Sequence, residues 1–303
     1  MRMGVLDIGS NTGHLLVVDA FRGGPPVPAH SYKEPLRLTD HLDGEQAISE
    51  DGIALLTKYV VDAKGEAEDK GCTEILAFAT SAVRDAVNVD QVIARVNEAS
   101  GIDLEVLAGD DEARLTFLAV RRWFGWSAGR LGVFDIGGGS LELAVGSDET
   151  PEVATSLPLG AGRLTREWLG AGFSPAELRL HVRSAIADEA GAILRGGSFD
   201  RAVATSKTFR TLARMCGAAP SSEGQYVRRT LRRHDLSPLV EQLSTMRPDD
   251  VAELPGVSAD RADQIHAGAI VAEATMDLFD VSELEICPWA LREGVLLEHL
   301  DHL

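Results

Sequence analysis

Aromatic residues are scarce. The chain has 4 Trp, 3 Tyr and 9 Phe among 303 residues, too few for the ring platforms on which single-stranded nucleic acids stack. Cysteine is scarcer still: Cys72, Cys216 and Cys287 stand far apart, with no C-x-x-C pair and no Cys/His spacing. That excludes a disulfide framework and a zinc site, and it suits a reducing cytoplasm. Positive charge is also short, since 29 Lys and Arg against 47 Asp and Glu leave a net charge of −18. A field of that sign repels nucleic acids and anionic membranes, so a polyanionic substrate would need a local basic patch. No apolar run reaches the roughly 18 residues of a membrane span, and Asp7 interrupts the N-terminal MRMGVLDIGSN before a signal-peptide core can form. A soluble cytoplasmic protein without nucleic-acid or membrane partners is the expectation.

What is present is ordinary globular composition, with 45% hydrophobic and 25% charged residues, in a length that favours two domains. Glycine, at 30 residues, runs above the average of about 7%, and much of it falls in two related segments. VLDIGSNTGHLLVVDA from Val5 and VFDIGGGSLELAVGSD from Val133 align Asp7, Ile8 and Gly9 with Asp135, Ile136 and Gly137, 128 residues apart. Each reads as a strand, a turn of Asp, Gly and small polar residues, and a second strand, Leu15 to Val18 or Leu141 to Val145. A second pair, ATSAVRDA from Ala79 and ATSKTFRT from Ala204, recurs 125 residues apart after apolar strand-like runs. Two matched elements in the same order at nearly the same spacing indicate duplicated domains.

Periodicity gives the layout. Helices are predicted over about Ser49–Lys70, Val89–Ala99, Asp111–Trp123, Ser174–Leu194, Ser237–Met246 and Ser258–Phe279, with strands at Glu74–Ala79, Asp103–Leu107 and Leu284–Cys287 and a last helix over Trp289–His299. This alternation makes an α/β fold. The expected domains are 1–122, joined by the C-terminal helix 289–303, and 123–288, with the joint at Trp123 to Arg130.

Turns such as DIGSN and DIGGGS present consecutive backbone N–H groups with no bulky side chain in the way, a concavity that suits phosphate. One such turn is more simply a tight hairpin; two, each carrying an Asp, favour phosphate with a cation-binding carboxylate beside it. Asp7 and Asp135 are therefore the metal candidates, joined by Glu142 two residues past Ser140 on the outgoing strand. Thr80, Ser81, Thr205 and Ser206 open helices as caps or anion donors, and Arg84 and Lys207 put positive charge where the helix dipole disfavours it unless an anion is bound. Glu112, in AGDDEARL, reads either as a helix-start acid or as a base that takes a proton from water.

The set DIGSNT, ATSAVRDA, GDDEARL, DIGGGSLEL, LPLGAGRL, ATSKTFR and ALREG, spread from Asp7 to Gly294, resembles the exopolyphosphatase and guanosine pentaphosphate phosphatase family, within the actin-like, sugar-kinase and Hsp70-like ATPase superfamily. The resemblance implies two ribonuclease H-like domains with the active site in the cleft between them. It also implies hydrolysis of a terminal phosphate with Mg²⁺ or Mn²⁺, and a homodimer. By that resemblance Glu112 is the catalytic base, and Asp135 and Glu142 hold metal and position water. Ser10, Asn11, Thr12, Gly137, Gly138, Gly139, Ser140 and Ser206 form the phosphate loops, and Arg84 faces the phosphate chain. The chain departs from the family where ATSKT replaces G-T-S-G-T, so that Lys207 stands in place of a small residue, and where DDE replaces the commoner E-E. It also ends at Leu303 without the additional C-terminal helical domains of longer relatives, which points to short chains.

Inorganic polyphosphate is the expected substrate. Guanosine pentaphosphate is the runner-up, because a planar base needs a ring or arginine to stack on and this chain adds charge, at Lys207, Arg210 and Arg214, rather than rings. An ATPase or kinase module and a non-catalytic polyphosphate or alarmone sensor are less favoured, the first for want of an adenosine pocket and the second because Glu112 and the metal carboxylates are all present. YVRRTLRRHDL would add a basic face if helical. LPGVSADRA mimics a helix-hairpin-helix element, but the net charge opposes DNA binding, and it more simply starts the helix carrying Arg261 and His266.

Overall fold

The computed structural model describes residues 1–303. The chain divides into two compact units, Met1–Leu115 with Leu291–Leu303, and Thr116–Ala290. The first unit runs β1 (Arg2–Ile8), β2 (Thr12–Asp19), β3 (Val27–Pro35), α1 (Glu50–Asp69), β4 (Glu74–Ala79), α2 (Ser81–Arg84), α3 (Val89–Ser100), β5 (Leu104–Val106) and the start of α4 (Gly109–Phe124). The second runs β6 (Leu131–Ile136), β7 (Leu141–Gly146), β8 (Val153–Leu157), α5 (Ala161–Leu164), α6 (Pro175–Ile193), β9 (Arg201–Thr205), α7 (Ser206–Met215), β10 (Thr230–Arg232), α8 (Arg233–Leu243), α9 (Pro248–Ala252), α10 (Ile265–Leu278) and β11 (Glu283–Ile286). The last helix, α11 (Leu291–His302), belongs to the first unit.

The sheets show the duplication directly. In the first unit the strand order is β3-β2-β1-β4-β5; in the second it is β8-β7-β6-β9-β11, with β10 added antiparallel at the edge. In each, an antiparallel three-stranded meander leads into parallel strands. Two ribonuclease H-like α/β units are thus present. The third strand of each meander is not legible as a strand in the sequence: β3, VPAHSYKEP, is an edge strand with little buried surface, so it lacks the apolar alternation that marks a strand.

Side-chain parity along the first strand of each unit positions the site. In β1, Leu6 and Ile8 pack into the core under α1 and α3, whereas Met3 and Val5 face the other way, into a cluster with Phe78, Leu115, Leu296 and Leu300. Asp7, two residues past Val5, lies on that second face. In β6, Phe134 and Ile136 enter the main core of the second unit, and Asp135 points to the opposite face. Local sequence explains the surrounding helices: Ser49 Oγ caps α1 by accepting from the Gly52 N–H at 3.3 Å, and Ser174 and Glu177 form a reciprocal capping box on α6.

Two sequence expectations are corrected. YVRRTLRRHDL is not one helix: Arg228 and Arg229 lie before β10, Arg232 ends it and Arg233 opens α8. Its arginines form no free basic face either, because Arg228 and Arg232 pair with Glu283, Arg233 pairs with Asp277, and Arg229 donates to the carbonyls of Ala219, Pro220, Gly224 and Val227. The helix expected from Ser258 starts only at Ile265, since Ala259–Arg261 form a short 3₁₀ turn, which places Arg261 on a turn.

Candidate active site

The first unit brings Glu112 and Arg84 together. Glu112 is 6% exposed, so it is no ordinary solvent-facing acid of a helix start; Asp111 fills that role and pairs with Arg114 at 3.2 Å. The Arg84 guanidinium donates to the Glu112 carboxylate, to Leu107 O at 3.1 Å and to Asp85 at 3.2 Å. Because α2 is only four residues long, Arg84 sits at its C-terminal end, where a cation is favourable, and the acid beside it is the carboxylate identified as a candidate base.

The DIGSN turn follows β1. Gly9 N–H donates to Thr12 O at 3.1 Å, closing the turn, and Ser10 and Asn11 are nearly buried within it. Ser10 Oγ lies 3.1 Å from Ser81 Oγ of the ATS motif. Thr80 and Thr205 make no side-chain cap; Thr80 Oγ1 donates to Ile8 O at 3.4 Å and Thr205 Oγ1 to Trp289 O at 2.9 Å. These threonines therefore fasten the turns to neighbouring strands and loops. Asp7 lies 3.3 Å from Arg292 of the ALREG motif. Burial raises its carboxyl above the usual range, the Arg292 charge pulls it back, and Glu293 pushes it up. Arg292 lies in the ALREG motif that the sequence singles out, but its pairing with Asp7 becomes visible only in the structure.

In the second unit the hairpin register places Asp135 directly opposite Glu142, so the two carboxylates share one face of the sheet as cross-strand neighbours. Glu142 also faces Ser156 of β8, whose Oγ donates to its carboxylate at 3.0 Å. In the first unit the residue opposite Asp7 is His14, hydrogen-bonded to Ser31 at 2.9 Å. The copies have thus diverged, and only the second pairs two acids across the hairpin.

The DIGGGS turn, Gly137 to Ser140, is held from behind by LPLGAGRL. Ala161 N–H donates to Gly137 O at 3.0 Å and Arg163 N–H to Gly138 O at 2.9 Å. A Cβ on Gly160 would stand 2.3 Å from Gly139 C and Ser140 N, so only glycine permits this approach. Gly137 N–H closes the turn onto Ser140 O at 2.9 Å, so the N–H groups of Gly138, Gly139 and Ser140 are the ones that face outward for a ligand.

Ser206 carries φ +79°, a strained value for a side chain with a Cβ and a mark of functional turns; its Oγ accepts from Phe209 N–H at 3.4 Å. Lys207, exposed to solvent, stands beside a small recess that Arg261 and Gln264 also line. Desolvation beside the recess lowers the Lys207 ammonium, Arg210 and Arg261 lower it further, and Asp260 opposes them. Arg261 is pushed down by burial and held up by Asp260 and Asp135. This guanidinium near the metal-candidate Asp135 was hidden in the sequence inside the LPGVSADRA stretch.

Residues 17–303 match the model of the Ppx/GppA phosphatase family. The chain belongs to that family. It is 55% identical over 305 residues to Exopolyphosphatase 1 of Mycobacterium tuberculosis, covering 99% of this chain and 89% of that one. It is 27% identical to the guanosine-5'-triphosphate,3'-diphosphate pyrophosphatase of Vibrio vulnificus, covering 98% of this chain and 59% of the relative. Among solved structures, an exopolyphosphatase from Cytophaga hutchinsonii superposes over 100% of this chain and 99% of its own with a TM-score of 0.88 at 23% identity, a likeness of fold. No helix of this Ppx/GppA family member is long and apolar enough to cross a membrane.

Proposed function

We propose that this protein is an exopolyphosphatase that releases terminal orthophosphate from inorganic polyphosphate with a divalent cation, Mg²⁺ or Mn²⁺. The carrying observation is the buried Glu112 held at Arg84, together with 55% identity over nearly the whole chain to an exopolyphosphatase. Glu112 takes the proton from the attacking water, and Arg84 meets the negative phosphate. The N–H groups of Ser10, Asn11, Thr12 and of Gly138, Gly139 and Ser140 cradle phosphate oxygens, with Gly137 closing the second turn and Ser206 and Lys207 aiding.

Asp135 and Glu142 would hold the cation, since two cross-strand carboxylates on one face supply the hard oxygen donors it requires. Asp7 is a further candidate that would exchange its Arg292 partner for the ion. When bound, the cation supplies charge neutralisation at the reacting phosphate. Arg261, near Asp135, balances charge on the same side of the sheet. A homodimer working in the cytoplasm completes the proposal and is supported by the family resemblance.

Guanosine pentaphosphate ranks second, as its named relative stands at 27% identity. The deciding experiment measures phosphate release from polyphosphates of graded length, guanosine pentaphosphate and ATP side by side, with and without chelator. Polyphosphate should give the highest kcat/KM, short chains foremost, and chelator should abolish turnover until Mg²⁺ or Mn²⁺ is restored. A higher kcat/KM for guanosine pentaphosphate than for every polyphosphate length would reverse the ranking, and full turnover in excess chelator would remove the cation.

A further inference from the structure

Within the second unit, LPGVSADRA bridges α7, which opens at the ATS turn, and the segment that backs the DIGGGS turn. Its upstream end is gripped by α7. Lys207 Nζ and Thr211 Oγ1 both reach the Gly256 carbonyl, at 3.5 and 3.4 Å, and a Cβ on Gly256 would stand 2.7 Å from Arg214 Cγ. Residues 207, 211 and 214 follow one another at i, i+4 and i+7, so one face of the helix that starts at the strained Ser206 holds this turn. Gly256 itself has φ +83°, so conformation and close packing both ask for glycine there.

The downstream end meets the other segment. Thr165 Oγ1 lies 3.5 Å from Asp263 O, and a Cβ on Gly162 would stand 3.1 Å from Gly138 O and 3.2 Å from Gln264 Oε1. Gln264 therefore packs directly behind DIGGGS. Arg261 lies between these two anchors, on the short turn Ala259–Arg261, and lines the same recess as Lys207, Thr211 and Gln264. Its side chain makes no hydrogen bond; Asp260 and Asp135 act on its charge from nearby. What fixes the guanidinium is thus the backbone that carries it. In a chain of net charge −18, a positive group near Asp135 is a local attraction for a polyanion that the rest of the molecule repels, so the place where the bridge is held decides how much of that charge a phosphate meets.

We propose that Lys207 is a positioning residue: by fastening Gly256 to α7 it holds the LPGVSADRA bridge in place and so fixes Arg261 where the guanidinium adds to polyphosphate binding. Lys207 acts on the substrate through Arg261 rather than by a contact of its own. The lysine stands where the G-T-S-G-T pattern has a small residue, so the fastening is a feature this chain adds to the motif. The proposal rests on the exopolyphosphatase reading for the identity of its ligand.

The test is a double-mutant cycle on the Kd for polyphosphate, with steady-state phosphate release alongside, for Lys207→Met, Arg261→Gln and the two combined. Each single variant should raise Kd and KM by about threefold or more, with kcat changed less than KM, and the double variant should match Arg261→Gln alone, because Lys207 then has nothing to position. Lys207→Arg, which keeps a donor for Gly256 O, should recover most of the native affinity. Effects that multiply in the double variant would make Lys207 a contact in its own right and overturn the proposal, as would a native Kd in Lys207→Met or an effect of Lys207→Met where Arg261→Gln has none. Hydrogen exchange reads the fastening without substrate: the amides of Val257, Arg261 and Gln264, bonded to the carbonyls of Leu254, Ser258 and Arg261, should exchange about fivefold faster or more in Lys207→Met while those of central α10 keep their native rates. Native exchange throughout the bridge would also overturn the proposal. If the native protein binds polyphosphate without hydrolysing it and the cycle runs as expected, the proposal stands and the enzymatic reading falls. If it hydrolyses polyphosphate and the effects multiply, the reverse holds, and a native protein that binds no polyphosphate would remove both.

Discussion

Glu112 shows how far one position is from being readable in isolation. In sequence it stands third in a run of acids at a helix start, where dipole and capping partners are the common explanation; in the structure its two neighbours keep that role and Glu112 turns inward to Arg84. Glu112→Gln keeps the shape and one hydrogen bond to Arg84 but removes the base. We expect kcat to fall by about 10² to 10⁴, with the protein folded as before; steady-state phosphate release from polyphosphate checks this, and activity within threefold of the native protein would return Glu112 to a structural part in the Arg84 pair. Asp135 and Glu142 were legible as residue types, but their shared face comes from a hairpin register that places them opposite each other. Arg261 and Arg292 were noted as positions, but not the carboxylates they meet, because an arginine in a turn or a terminal helix carries no sign of its partner. Arg121, 1% exposed and donating to the carbonyls of Gly129 and Gly146, likewise reads in sequence as one of two surface arginines.

At the scale of elements, the strands with strong apolar runs and the capped helices could be read from the chain, whereas β3, β8 and β10 could not. Edge strands are defined by the neighbour they pair with rather than by their own pattern. The close crossing of Gly160 behind the DIGGGS turn is an element-level constraint with a sharp expectation. Gly160→Ala would drive a methyl to within 2.3 Å of the Gly139–Ser140 backbone, so the turn or the LPLGAGRL segment must move. We expect a destabilisation of about 1 to 3 kcal/mol, read as a lower denaturant midpoint, and a loss of activity larger than the lost stability explains; unchanged kcat/KM would show that the turn tolerates the shift. The α10 helix adds a pH dependence. Burial lowers the His266 imidazole below its ordinary value, Arg179 lowers it further and Glu241 opposes them. The fold prefers the neutral ring, so this contribution to stability is fully present above the unfolded value of about 6.5 and is lost as pH falls from there toward the folded value. Urea midpoints at pH 7.5 and 5.5 should therefore differ more in the native protein than in His266→Gln; parallel curves would assign the acid sensitivity to other groups.

The whole molecule carries its charge against its proposed substrate. A net charge of −18 repels a polyanion at distances beyond the Debye length of about 10 Å at 0.1 M salt, while the cations at the turns act only at contact. Salt should then affect the two rate constants differently: association with polyphosphate should hold steady or rise between low and physiological salt, because screening relieves the long-range repulsion, while dissociation should speed up. Stopped-flow measurements separate the two, and an association rate that drops steeply with salt would mean that the local cations dominate the far field as well. The duplication was the most legible feature at this scale, because repeated turns 128 residues apart survive divergence of nearly everything between them. What it could not convey is the exchange of Glu142 for His14 between corresponding positions, which leaves the copies alike in shape and unlike in chemistry.

The last helix has a consequence for the order in which the protein is made. The unit that begins at Met1 closes only with Leu291–Leu303, which bring Leu296 and Leu300 into its core, Arg292 to Asp7 and Gly294 so close to Leu115 O that a methyl there would stand 2.0 Å away. Residues 116–290 are synthesised in between, and domains usually complete themselves in order of emergence from the ribosome. Here the order is inverted: residues 1–115 wait for residues 291–303, and the intervening unit is complete before them. A nascent chain stalled anywhere before Leu291 therefore carries Asp7 without its guanidinium partner and a sheet with part of one face uncovered, so the first unit is completed only after the whole of the second has been made.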